Sequence, residues 1–166
     1  IRLGYETPST LGNDRIAAAV GAADRFPGRP VLVVDSGTAL TLDIVTADGL
    51  FVGGNISPGL RMRLLALHQQ TAGLPVVEPD EHVPLIGANT REAILAGVVN
   101  GIVYEIDATI RELNTKYDHL HVILTGGDSA YLSARLKNTI FVEENLVVNG
   151  LNAILRNLTK QALMRS

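Results

Sequence analysis

Cysteine is absent from all 166 residues, so neither a disulfide framework nor a thiolate metal site can form. Excess positive charge is missing as well: 14 Lys and Arg stand against 17 Asp and Glu, for a formal net charge of −3. Without a basic footprint, nucleic acid is not expected as a partner. No run reads as long and apolar enough to span a bilayer and no signal peptide opens the chain, so no membrane is expected and the reading is of a soluble, cytoplasmic protein. The opening IRLGYETPSTLGNDR lacks an initiator methionine, and the chain is expected to be a fragment. What it has is apolar mass. At 46% hydrophobic residues it is no disordered linker, and at this length it can bury one substantial core. No internal repeat or low-complexity tract divides it.

The stretch VLVVDSGTALTLDIV, residues 31–45, is an apolar ribbon with a polar knot, Asp35-Ser36-Gly37-Thr38, in its middle and Asp43 farther along. Val31–Val34 reads as a buried strand, Ala39–Thr46 as a second, and Leu50–Ile56 as a third in which Gly53 and Gly54 mark a bulge or a close backbone approach. Short turns join them, which predicts an antiparallel meander. Pro58 is expected to open a helix running to Gly73, followed by a loop carrying Pro75, Pro79 and Pro84. Asn89 or Thr90 should cap a second helix reaching about Tyr117, with Ile94, Val98, Ile102 and Ile106 at helical spacing. A buried strand at 121–127, a helix at 128–138, a short strand within 139–148 and a last helix at 150–164 complete the order. The expected fold is α/β: a ribonuclease-H-like mixed sheet, three-strand meander then αβαβα, flanked by helices.

Two carboxylates and a cluster of hydroxyls cannot be buried in such a ribbon without compensation. At the hairpin between the first two strands they would face a ligand beyond the strand ends. Gly37 is expected to turn with positive φ, the amides of Ser36–Ala39 to point at an anion, Thr38 to add a hydroxyl donor, and Asp35 to offer an oxygen to a cation. The alternative is an ordinary Asp/Ser/Gly turn. TGGD (125–128) and GGNISPG (53–59) are two more glycine-marked strand ends, and the three together suggest a nucleotide cleft; each alone is also common helix or strand grammar. In TLGNDR (10–15), Asn13 or Asp14 is either a helix cap or, for Asp14, a general base beside Arg15, a bidentate clamp for carboxylate or phosphate. Thr71 in QTAGLP reads as a polar residue in a helix's last turn. His68, His82, His119 and His121 form no helical metal pair; the last two would share one strand face as surface or core residues.

GNDR with its Ala-rich helix, VVDSGTALTLDIV, GGNISPGL, TAGLP, GANTREAILAGVVNG and VILTGGD, in that order and spacing, resemble the type III pantothenate kinases of the sugar-kinase, heat-shock chaperone and actin superfamily. The resemblance implies ATP-dependent phosphorylation of the 4′-hydroxyl of pantothenate, the first step towards coenzyme A. It makes Asp14 the catalytic base, with Gly12, Asn13 and Arg15 completing the substrate-binding stretch and Tyr5 an upstream substrate contact. It makes Asp35 the ligand of a monovalent cation, potassium or ammonium, and Thr38 an ATP contact, with Gly126 and Gly127 where the superfamily holds adenosine and magnesium accompanying ATP. Thr71 becomes a pantothenate contact that the neighbouring subunit of a homodimer can supply. Residues 1–27 would then be the end of a first domain and 28–166 a second, ribonuclease-H-like domain; the family's N-terminal phosphate-gripping hairpin and lysine are not in this sequence. Two other readings remain, another small-molecule kinase of the superfamily and a non-catalytic binding or regulatory module. The dimer has its own motive in the helix over 89–117, where Ile94, Leu95, Val98, Val99, Ile102, Val103 and Ile106 exceed one stripe and Gly97 and Gly101 would admit a second helix; the alternative is that the chain's own sheet covers them all.

Overall fold

The structure, a computed structural model, describes residues 1–165. In chain order its elements are β1 (Arg2–Leu3), α1 (Asn13–Arg25), β2 (Val31–Ser36), β3 (Ala39–Val45), β4 (Leu50–Pro58), α2 (Leu60–Gln69), α3 (Thr90–Asn114), β5 (His121–Thr125), α4 (Ser129–Ser133), β6 (Phe141–Val142) and α5 (Leu146–Arg165). β2, β3 and β4 form the expected antiparallel meander. β5 joins β2 in parallel and β6 joins β5, so the sheet is mixed, in the order β1-β4-β3-β2-β5-β6. β1 is an addition to the expected strands: Arg2 and Leu3 pair with Leu50 and Phe51 at the sheet edge, and two residues are too few to show a period.

Both faces of the central strands are covered, which is why Val31–Val34 is an unbroken apolar run. Leu32, Val34, Leu40, Leu42 and Leu124 pack with α2 and α3 on one face. Val31, Val33 and Ile123 pack on the other with Ala18 and Ala22 of α1 and Leu146 of α5. The two helices on that face touch backbone to backbone: a Cβ on Gly150 would lie 1.8 Å from the Ala17 carbonyl oxygen, and one on Gly21 2.6 Å from that of Leu146.

Several expectations need correction. All seven apolar residues of α3 read as surplus are buried in the chain's own core, so the helix has no spare apolar stripe. The same helix overturns the expectation that no run could span a bilayer. Its length and its mean hydropathy of 1.5 would suffice, but 56% of that window is buried inside the domain. Asn89, not Thr90, caps it, accepting from the Glu92 amide at 3.0 Å while Glu92 accepts from the Ala88 amide at 2.8 Å, a reciprocal cap. Pro58 ends β4 opposite Ala39 and does not open α2, which begins after Gly59 and stops at Gln69. α4 is five residues long; beyond it Asp107 takes hydrogen bonds from the Lys137 amide and the Asn138 side chain. His119 has φ 55 and precedes β5, so it shares no strand face with His121, whose ring lies 4.5 Å from that of Phe26.

Candidate active site

Two groups of residues meet at the β2–β3 hairpin. The first lies on the α1 face. Gly12 is the N-cap of α1 and makes no side-chain cap bond, so neither Asn13 nor Asp14 is the cap; both sit exposed in the first turn. A Cβ on Gly12 would lie 2.4 Å from Asp14 Oδ1, so the glycine leaves room for that carboxylate, which accepts from the Arg15 amide at 2.8 Å.

Arg15 is a bidentate clamp, but the carboxylate in it belongs to the chain itself. Its Nε donates to Asp43 Oδ2 at 2.9 Å and its Nη2 to Asp43 Oδ1, with both side chains nearly inaccessible at 9% and 3% exposure. The rings of Tyr5 and Phe51 flank the guanidinium at 5.6 and 5.8 Å. Gly53, at φ 132, seats the Tyr5 ring 3.4 Å from where its Cβ would be. Gly54 faces Asp43 with no room for a side chain, its Cβ position being 2.3 Å from Asp43 Oδ1. Both glycines thus make the bulge and close approach their sequence suggested, and β3–β4 pairing is irregular beside Ile44. Asp43 holds the Arg15 guanidinium charged well above its ordinary range. Burial pushes the Asp43 carboxyl up against the pull of Arg15.

Asp35 is on the same sheet face, two residues along β2 from Val33, which pairs with Asp43. Burial pushes its carboxyl up, and Asp14 and Asp43 push it further. No described residue donates a hydrogen bond to it. Asp14, Asp35 and Asp43 therefore form one electrostatic cluster holding three carboxylates and a single guanidinium, already committed. Among the described residues no group of three or more His, Asp or Glu is arranged as a metal cage.

The second group lies beyond the strand ends. Gly37 does not adopt the expected positive φ; its amide closes the hairpin on the Ala39 carbonyl at 3.0 Å. The left-handed glycine is Gly126, φ 92, where a Cβ would lie 2.4 Å from the Ser36 carbonyl oxygen and 2.5 Å from Asp35 Oδ1. The TGGD loop thus rests directly on the DSGT knot, tied by the Asp128 amide donating to the Ser36 carbonyl at 3.0 Å. Gly59 closes the third side, its amide donating to the Thr38 carbonyl at 3.0 Å and its Cβ position only 2.1 Å from the Gly37 oxygen. The glycine-marked strand ends therefore converge. Between them is a cavity of about 470 Å³ lined by Gly37, Thr38, Arg61, Met62, Leu65, Gly127 and Asp128.

Thr71 is not brought to either group. It is exposed beyond α2 with its hydroxyl donating to the Leu67 carbonyl at 2.6 Å. Conversely, sequence reasoning missed Arg61 and singled out the glycines of TGGD but not Asp128. It also missed a network behind the cavity in which Glu105 accepts from Ser57 Oγ at 2.6 Å and from Arg63 at 2.5 Å, with Arg63 Nε donating to the Pro58 carbonyl at 2.7 Å. That network joins the end of β4 to α2 and α3 just before Gly59. Nothing in local spacing reveals it, since Glu105 is 48 residues from Ser57 and 42 from Arg63.

An exposed carboxylate beside a half-buried, unpartnered one, sharing a hairpin with a glycine-walled cavity, can accept a proton next to a bound anion. Solved structures with the same fold include a Baf family protein of Campylobacter jejuni, TM-score 0.68 at 24% identity over 92% of this chain and 67% of that one. An archaeal actin homologue matches with TM-score 0.51 at 16% identity over 92% of this chain and 55% of that one. Among curated proteins, a type III pantothenate kinase of Bacteroides fragilis is 52% identical and one of Christiangramia forsetii 48% identical, each over 151 residues. Both alignments cover 91% of this chain and 62% of the relative, so the chain spans less than two thirds of their length. The family model described as type III pantothenate kinase matches residues 1–112, and with these relatives at about half identity the chain belongs to the type III pantothenate kinase family.

Proposed function

We propose that the protein carrying this chain transfers the γ-phosphoryl group of ATP to the 4′-hydroxyl of pantothenate, the first step towards coenzyme A. The observation that carries this reading is the shared hairpin: the Asp14–Asp35 cluster and the Thr38–Gly127 cavity are both built on residues 35–38 and on the Gly126 loop resting there. Asp14 takes the proton of the attacking hydroxyl as its oxygen bonds to the γ-phosphorus and the bond to the β-phosphate breaks, releasing ADP. Thr38 holds phosphates, and Gly127, in the loop that Gly126 lets rest on the hairpin, leaves space for the adenosine. Tyr5, Gly12, Asn13 and Arg15 line the pantothenate side, Arg15 while held by Asp43.

Asp35 suits a monovalent cation, potassium or ammonium. It is a single half-buried carboxylate without a donor, placed among other carboxylates that leave the cluster short of positive charge; a bound cation would supply that charge near the phosphates. Magnesium comes with ATP, bound mainly to its phosphates. Thr71 lies apart from Asp14 within one chain, which favours a homodimer whose second subunit supplies it. Residues 1–27 close a first domain and 28–166 make the second, and the enzyme works in the cytoplasm. The test is to incubate the full-length protein with ATP, magnesium, potassium and pantothenate and to look for 4′-phosphopantothenate by mass spectrometry. Transfer to a different alcohol would favour another kinase of the superfamily, and no transfer at all would favour the binding module.

A further inference from the structure

Asp43 is the one carboxylate of the site for which the proposed reaction has no direct use, and burying it is costly. It lies in β3, buried beside a guanidinium, where an apolar pair of similar volume would serve a core at least as well. What the ion pair supplies in exchange is direction. Both oxygens of Asp43 and two nitrogens of Arg15, Nε and Nη2, engage in one fork, which fixes the plane of the guanidinium and not merely its place. Gly54 stands opposite Asp43 in the β3–β4 ladder. Its Cβ position lies 2.3 Å from Oδ1 and 2.8 Å from the Asp43 Cα, so bare backbone closes one side of the carboxylate and leaves it little room to swing. The rings of Tyr5 and Phe51, 6.0 Å apart and inclined at 66°, flank the guanidinium.

A free arginine side chain samples many rotamers, and ordering it when a ligand arrives weakens binding. Here the chain orders it beforehand. With Nε and Nη2 spent, the donors left are at the Nη1 end. The Tyr5 hydroxyl is the only other polar group among the described residues that acts on the guanidinium. Asp43 also cancels the charge of Arg15, so what remains serves orientation more than attraction. It suits one oxygen acceptor, not the two-point grip on a carboxylate or phosphate that the sequence suggests. We propose that Asp43 is a positioning residue that aims the Nη1 end of Arg15 at one oxygen of pantothenate without touching the substrate itself. This rests on the reading of Arg15 as a pantothenate contact above.

The test is steady-state kinetics of the full-length protein with pantothenate and ATP varied separately, each variant being assayed at a temperature where circular dichroism shows it folded. Asp43→Asn keeps the volume but offers an acceptor to only one of the two nitrogens. It should raise KM for pantothenate about 10-fold, the size of one hydrogen bond to a charged group, and leave KM for ATP within about 2-fold. Asp43→Ser, which admits water beside Arg15, is the second single variant and should do the same or more. Arg15→Met should raise KM for pantothenate at least as much. Adding Asp43→Asn to Arg15→Met, which leaves no stranded charge, should raise it no further, because a residue acting only through another is silent once that other is gone. Asp43 variants that leave KM for pantothenate unchanged, raise both KM values by one factor, or add their full effect to that of Arg15→Met would overturn the positioning role and leave Arg15 as a contact. A folded Arg15→Met with an unchanged KM for pantothenate would remove Arg15 from the substrate side, and this inference with it. A wild type that phosphorylates no pantothenate would overturn the proposed function itself.

Discussion

Asp35 and Asp43 stand on adjacent strands, on one face of the sheet, and burial pushes both carboxyls up. They differ in what faces them. Asp43 is gripped by the fork of Arg15, walled by the Tyr5 and Phe51 rings and approached by the bare backbone of Gly54. Asp35 has no donor among the described residues, and the backbone of Gly126 lies over it. A buried carboxylate with an internal cation is part of the scaffold, because neither partner can be lost alone. One left without a cation is a local defect in the energetics of folding, retained where something outside the chain completes it. Asp14 and Asp128 fall on the Asp35 side of that division: neither forms an ion pair with a described residue, and the Asp128 side chain makes no cap bond although the residue is the N-cap of α4.

The comparison breaks most sharply if a carboxylate on the unpaired side proves to be merely structural. Asp14→Asn in the full-length enzyme should lower kcat by about 10²–10⁴-fold, the usual loss for a general base, with little change in stability, since Asp14 is exposed and asparagine keeps an acceptor for the Arg15 amide. Near-normal turnover by the folded variant would remove Asp14 from the chemistry. Next in size is the paired side. Arg15→Met leaves Asp43 buried beside no cation and should cost about 3–5 kcal/mol in chemical denaturation. Adding Asp43→Leu should recover much of that loss, because it is the stranded charge and not the missing bridge that destabilises. If Arg15→Met alone is mild, the bridge is no scaffold.

The same division separates what the sequence could and could not convey. Strands β2 and β3 were legible because burial on both faces writes apolar runs, β4, mostly exposed, from the turn signal before it and its Gly53-Gly54 pair, and α3 from its period and a cap at Asn89 or Thr90. Each residue type in the site was visible too. Their pairings were not, because they depend on register and on helix docking. Arg15 meets Asp43 only when β3 presents that residue to α1, 28 positions away in sequence. The left-handed glycine was assigned to Gly37 and lies at Gly126, since a DSG turn and a TGG turn look alike until one is folded onto the other. Pro58 reads as a helix start because proline favours first turns, but it serves equally well as the last residue of a strand, where a missing amide is tolerated.

A smaller effect is expected at the network behind the hairpin. Glu105 joins Ser57 and Arg63 across three elements with a third or less of each charged side chain exposed. Glu105→Gln should lower stability by about 1 kcal/mol, part of the bond being screened by solvent. Because the network steadies Gly59 against Thr38, it should also raise KM for ATP more than KM for pantothenate. Equal changes in both would make it structural only.

The smallest effect is also the one with the opposite sign. Asp35 carries a carboxyl raised above its ordinary value of 3.8 by burial and by its neighbours. Between that ordinary value and the raised one, the folded chain holds a proton that the unfolded chain has released. Stability therefore falls as pH climbs through that window, and levels off above it. Asp35→Asn removes the slope. In buffer free of potassium and ammonium it should melt above the wild type at pH 7, with the gap closing as the pH is brought down towards 3.8. Asp43→Asn should do the reverse at pH 7 and melt lower, because it strands Arg15. Adding potassium should raise the wild-type melting point and leave Asp35→Asn where it was, since the cation binds only where the carboxylate is present. Thermal melts of the three proteins across this pH range, with and without potassium, decide the matter. An Asp35→Asn variant that melts lower than the wild type at pH 7 would mean that Asp35 has an internal partner after all, and the two aspartates would no longer differ in kind.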